Sequence, residues 1–158
     1  MTGSRWEVKV EVKRQAIVDA ARETVGWPFR HRGRNKNGID CIGLLLYVSE
    51  RTGLLENMNL PNYYTGLNYD RRPATKGIDS QWLMRELSIT GKRIQKSSVQ
   101  MGDIVYCRND KWVHVGIVTP EKMIHAYAFP HRRVIEHGYD KVWKRATIAA
   151  FSWPGVVF

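Results

Sequence analysis

Residues 41–52, CIGLLLYVSERT, constrain the fold more than any other stretch, because Leu44, Leu45, Leu46, Tyr47 and Val48 leave almost no polar side for water. A helix that is apolar nearly all round must lie at the centre of the molecule, with other elements packed about it. Asp40 supplies its N-cap and Gly53 its stop. A second, amphipathic helix is predicted over 12–25, where Ala16, Ile17, Ala20, Ala21 and Val25 recur at helical spacing before Gly26 and Pro28 end it. The stretch 29–40, FRHRGRNKNGID, is basic and turn-rich and reads as an exposed loop. Residues 54–77 lack periodicity and read as a long ordered loop, followed by a short helix at about 79–88. From Gly102 the pattern changes to DIVYCR, WVHVGIV, KMIHAYAF and RRVIEH, short β-branched or aromatic runs separated by turn residues. They predict an antiparallel meander, to which the tail ATIAAFSWPGVVF adds a last strand. Helices first and a sheet afterwards make an α+β domain, and without repeat or linker the 158 residues read as one domain.

Composition narrows the classes. The chain carries 25 Lys+Arg against 15 Asp+Glu, a net charge of +10, which favours anionic partners without choosing among nucleic acid, wall polymer and phospholipid. Two cysteines, Cys41 and Cys107, are too few for a disulfide scaffold and have no zinc-ligand spacing, so no metal is expected. The charged N-terminus, MTGSRWEVKVEVKRQ, does not fit a signal peptide, and no apolar run approaches the roughly 20 residues that span a bilayer. The expectation is a protein made in the cytoplasm, with no membrane span.

The candidate chemistry centres on Cys41. At the first turn of the central helix, unpaired N–H groups and the helix dipole favour thiolate, and Arg30, Arg32, Arg34 and Lys36 in the preceding loop act in the same sense if they lie close. A thiol nucleophile needs a base, and the strands offer His114 and His125. If TPEK, residues 119–122, forms the loop between their strands, Val118 faces Met123, His114 faces Tyr127 and His125 faces Gly116. Both imidazoles then share one face of the sheet, and one can orient the other; an odd-length loop would separate them. Cys107, inside an apolar strand, reads as a core residue, Asp103 as a turn residue, and His131 and His137 as structural.

The pieces PFRHRGRNKNGIDCIGLL (28–45), MGDIVYCR (101–108), HVGIV (114–118) and MIHAYA (123–128) resemble, in order and spacing, the motifs of the NlpC family of papain-like cell-wall cysteine peptidases. The likeness runs from about residue 14 to 128, with an insertion at about 54–100. It implies a papain-like core of helices on a small antiparallel sheet, with Cys41 as nucleophile at the start of the central helix, His114 as general base and His125 as the residue that orients it. His31-Arg32-Gly33 stands where the family usually has Tyr-Gly-Gly, so His31 takes the position of a tyrosine that lines the site near the oxyanion; Ile42 stands where a serine is common. These variants and the insertion resemble members encoded with bacteriophage tails. The implied substrate is the stem peptide of peptidoglycan, at the bond between γ-D-glutamate and the diamino acid, with no cofactor. The implied partners are tail hub or tip proteins, and the implied location is the virion.

Two rival classes stand beside this reading. One is a non-catalytic component of a tail or secretion machine that keeps the fold for docking, against which the intact Cys41, His114 and His125 set argues. The other is a nucleic-acid-binding module, supported by charge alone, with no recognisable binding motif.

Overall fold

The computed structural model describes residues 8–57, 87, 91–109, 113–128 and 130–158. The predicted helix at 79–88 lies outside them except for Leu87, which is helical and buried, and so does the 54–77 loop beyond a 3₁₀ turn at Leu54–Asn57. The described elements run β1 (Val12–Lys13), α1 (Arg14–Glu23), β2 (Arg34–Asn35), β3 (Gly38–Ile39), α2 (Cys41–Thr52), β4 (Lys92–Ile94), β5 (Ile104–Arg108), β6 (Val113–Thr119), β7 (Lys122–Tyr127), β8 (Arg133–Gly138), α3 (Lys141–Ala146), β9 (Thr147–Ser152) and β10 (Val156–Val157). None of the described helices is long and apolar enough to cross a membrane.

Helix α2 begins and ends where its caps require. The Asp40 side chain accepts from the Gly43 N–H at 2.8 Å, and Gly53 closes the helix at φ 84°, a conformation glycine enters without strain. Ile42, Leu44, Leu45, Leu46 and Val48 are all buried, as a helix apolar on every side demands. Gly43 is needed for close approach: a Cβ there would collide with the Gly33 carbonyl oxygen and lie 2.9 Å from Ile39 Cγ1.

Helix α1 is shorter than its periodicity predicts. Val12 leaves it to donate to the Gly155 carbonyl at 2.9 Å, pairing β1 with β10 in parallel. Val18 joins Ile17, Ala20 and Ala21 in the core, while Ala16 and Val25 are exposed.

Six strands form one antiparallel sheet in the order β4-β9-β5-β6-β7-β8. The β5 to β8 meander is as the sequence predicts; the sheet is larger than the small one expected. The tail strand β9 enters between β4 and β5 instead of adding at the edge, because Ala149, Ala150 and Phe151 need cover on both faces and an interior position supplies it. Alternation divides the sheet's side chains between two cores. Tyr106, Val115, Ile117, Ile124, Ala126 and Val134 join the core that α1 and α2 complete. Val105, Cys107, Val118, Met123 and Ala150 form the other, covered by Val99, Tyr139 and Trp143.

The stretch 29–40 is not a simple exposed loop. Strands β2 and β3 pair as a hairpin, and Gly38, Ile39 and Asp40 are buried at its foot, directly before Cys41.

Candidate active site

Cys41 is the first residue of α2, half-buried against the helix-side core. Backbone pairing holds the chain that leads into it. Ile39 N donates to the Pro28 carbonyl, Phe29 N to Arg132, and Pro28 bridges to Arg133, the first residue of β8. Arg133 in turn pairs with Tyr127 at the end of β7. Cys41 follows this paired segment at the start of α2, against the helix-side core, while His114 is the second residue of β6 and His125 lies two before the end of β7.

Asp40 organises the approach. One carboxylate oxygen takes the Arg32 N–H at 2.7 Å; the other takes the Gly43 N–H and the Arg34 guanidinium at 3.3 Å. The cap predicted at Asp40 is present, and the same group also clamps the Arg30–Gly33 turn, in which Arg32 has φ 65° and His31 is half-buried. His31 is thus held in a turn anchored to the helix start.

The histidines come together as strand parity predicts. Ile117 pairs with Ile124 and Val118 with Met123. Thr119 and Lys122 also pair, so the turn shrinks to Pro120-Glu121, a change by two positions that preserves parity. The His114 and His125 ring centroids are 4.7 Å apart, and His114 lies 4.9 Å from the Tyr127 ring. Gly116 leaves room beside them: a Cβ there would stand 3.3 Å from His125 Cβ. Both rings lie on the face of the sheet covered by Trp143, at 5.6 and 5.2 Å from it. The structure thus joins the two imidazoles on the Trp143 face of the sheet, whereas Cys41 packs against the helix-side core. Among the described residues, no hydrogen bond ties Cys41 Sγ to either ring.

Two contributors escaped the sequence reading. His137 on β8, read from the sequence as structural, places its Nε2 2.8 Å from His125 Nε2 and so is a partner in the histidine cluster. Helix α3 supplies Trp143. The signal for His137 was parity again: Met123 pairs with His137, which puts it on the same face as His125. Cys107 is buried, with Sγ 3.4 Å from Thr147 Oγ1, in keeping with a core role.

The electrostatics differ from expectation. The Cys41 thiol is pushed up to about 12, chiefly by burial and then by the Asp40 charge. The N–H groups of Ile42 and Cys41 and the Arg34 charge oppose the shift without overcoming it. Arg34 is a loop cation that acts on the thiol in the expected sense, and burial outweighs both it and the helix N-terminus. His114 is pulled down to about 4 by burial and by His137, and His125 well below its ordinary value by burial and its histidine neighbours. At neutral pH the resting site therefore holds a thiol and uncharged imidazoles. Among the described residues, no group of three or more His, Cys, Asp or Glu side chains converges as metal ligands would.

A cysteine heading the buried helix, packed on an antiparallel sheet that carries paired histidines, defines a papain-like architecture. The NlpC/P60 family model matches residues 26–152, and the chain belongs to that family, whose members are cysteine peptidases. A NlpC/P60 family protein from Bacillus cereus ATCC 10987 shares the fold at a TM-score of 0.62 and 18% identity, covering 97% of this chain and 44% of its own. The NlpC/p60 domain of the peptidoglycan hydrolase SagA matches at 0.54 and 21% identity, over 88% of this chain and 97% of that domain. NlpC1 from Trichomonas vaginalis matches at 0.59 and 17%, over 96% and 48%. This chain thus spans less than half of the Bacillus cereus protein, and at these identities the likeness is one of fold. No curated protein sequence matches it.

Proposed function

We propose that the protein is a cysteine endopeptidase that cleaves stem-peptide amide bonds of peptidoglycan, at the bond between γ-D-glutamate and the diamino acid. The observation that carries this reading is the membership of the chain in the NlpC/P60 family, and it is supported by Cys41 as first residue of α2 and by the adjoining rings of His114 and His125. Two neighbours support the substrate and the residue types by their own descriptions. SagA is a peptidoglycan hydrolase, and the Resuscitation Promoting Factor Interacting protein RipA is known in structures mutated separately at a cysteine, a histidine and a glutamate.

In this mechanism Cys41 is the nucleophile and His114 the general base. Because the resting thiol is held high and His114 low, the proton leaves sulfur as Sγ attacks the carbonyl carbon, without a standing ion pair. Asp40 consumes the Gly43 N–H, leaving the N–H groups of Cys41 and Ile42 beside the sulfur to receive the oxyanion, with His31 at their margin. Protonated His114 passes its proton to the leaving amine, and water then releases the acyl group from sulfur. His125 orients His114. The delivery route in this reading is a phage tail with the protein docked on hub or tip proteins, supported by the likeness of His31-Arg32-Gly33, Ile42 and the 54–100 insertion to phage-encoded members.

The test is digestion of purified peptidoglycan by the protein and by Cys41→Ala, with mass analysis of the released fragments. The expected result is fragments ending at γ-D-glutamate from the unaltered protein and none from Cys41→Ala. Cleavage retained by Cys41→Ala, or no fragment from either, overturns the reading. Immunoblots of purified particles test the tail assignment separately.

A further inference from the structure

The polar chain at the site does not stop at His125. His137 Nδ1 lies 3.0 Å from the Gly138 carbonyl oxygen, which can only accept, so Nδ1 carries the proton and Nε2 presents a lone pair. His137 Nε2 is 2.8 Å from His125 Nε2, so the proton in that contact belongs to His125. A neutral imidazole has one N–H, and with it on Nε2 the His125 Nδ1 is left as an acceptor. That atom is buried and makes no hydrogen bond among the described residues, and its ring is 4.7 Å from His114.

We propose that His137 is a positioning residue that sets the tautomer of His125, so that the buried Nδ1 of a ring packed on His114 carries a lone pair and not an N–H. A backbone carbonyl of β8 is thereby the fixed point of a hydrogen-bonded chain, Gly138 to His137 to His125, whose last ring packs on His114. The consequence is directional. His125 offers an acceptor, and no donor, at its Nδ1. Reversal at His137 would reverse His125 in turn, and its Nδ1 would then carry the N–H. Burial keeps all three imidazoles uncharged at neutral pH, the condition under which a tautomer is defined. Trp143 packs on His114, His125 and His137 together, at 5.6, 5.2 and 4.6 Å, and holds the three rings in register.

This inference rests on the proposed peptidase reading for its catalytic meaning, and two measurements keep the two separable. The first is long-range ¹H–¹⁵N correlation spectroscopy of the unaltered protein at pH 7.5, which reports the tautomer whether or not peptidoglycan is cleaved. Nε2–H on His125 with Nδ1–H on His137 is the expected pattern; Nδ1–H on His125 overturns the inference. The second compares His137→Phe, which keeps the ring packing without an acceptor, with His137→Gln, which restores an acceptor oxygen. Loss of kcat by roughly 10- to 100-fold in His137→Phe at unchanged KM, with recovery in His137→Gln, is the expected split. Equal activity in all three, or equal loss in both variants, reduces His137 to packing and overturns the inference. If the unaltered protein cleaves nothing, the peptidase reading fails while the spectrum still decides the tautomer; if His137→Phe does not fold, the spectrum decides alone.

Discussion

Asp40 acts on Cys41 in two opposed ways. Its carboxylate builds the helix start, through the N–H groups of Arg32 and Gly43, and its charge raises the neighbouring thiol. Asp40→Asn separates the two, because the amide oxygen still caps the helix while the charge is gone. Iodoacetamide should then alkylate Cys41 severalfold faster than in the unaltered protein at pH 8, with the helix intact by circular dichroism. Equal or slower alkylation would mean that the Asp40 charge does not reach the thiol. In the unaltered protein, the alkylation rate should keep climbing from pH 7 to 10; a plateau near neutrality would reveal a thiolate–imidazolium pair instead. The position of Cys41 was legible in the sequence because a cap, a thiol and an apolar run are adjacent. Its proton affinity was not, because that depends on how much protein surrounds the sulfur and on which of four nearby cations points inward.

Among elements, the most demanding contact is α2 against the β2–β3 hairpin. Gly43→Ala drives a methyl group into the Gly33 carbonyl, and α2 cannot retreat because its other faces are in the core. We expect a loss of about 1–3 kcal/mol in urea unfolding, with displacement of Cys41 and loss of cleavage. A near-unchanged midpoint would show that the hairpin yields. The junction of α1 with the sheet is a second such point, where Arg14 donates to Asp103 at 2.7 Å and Asp103 is wholly buried. Arg14→Met leaves that carboxyl without its cation and should cost about 3–5 kcal/mol near pH 7. Asp103 is already raised by burial, and without Arg14 it rises further. A group raised in the folded state loses its contribution as pH rises, so the variant's deficit should shrink on acidification to pH 5; a deficit independent of pH would contradict this. Strand pairing was legible where the turn was short, as between β6 and β7, since parity survives an error of two. It was not legible for β9, whose place between β4 and β5 depends on distant partners.

For the whole molecule, the buried histidines couple stability to pH. Unfolded imidazoles take up protons near 6.5, whereas His114 does so at about 4 and burial holds His125 well below its ordinary value. Between those values the unfolded chain binds more protons, so stability falls as pH falls, by up to about 1.4 kcal/mol per pH unit for each histidine. Urea midpoints should drop steadily from pH 6.5 to 4.5, and His125→Gln should flatten the slope. A midpoint constant over that range would show that these rings are solvated. A second feature at this scale is the joining of β1 and β10. Asn57, at the end of the turn after α2, reinforces it by accepting from the Lys9 and Val10 N–H groups and donating to the Val10 and Pro154 carbonyls. Because the two strands run in the same direction, tension drawn outward from residues 12 and 157 slides them past one another. Both residue pairs then carry the load together instead of parting one after the other. The clasp is therefore a shear-loaded joint.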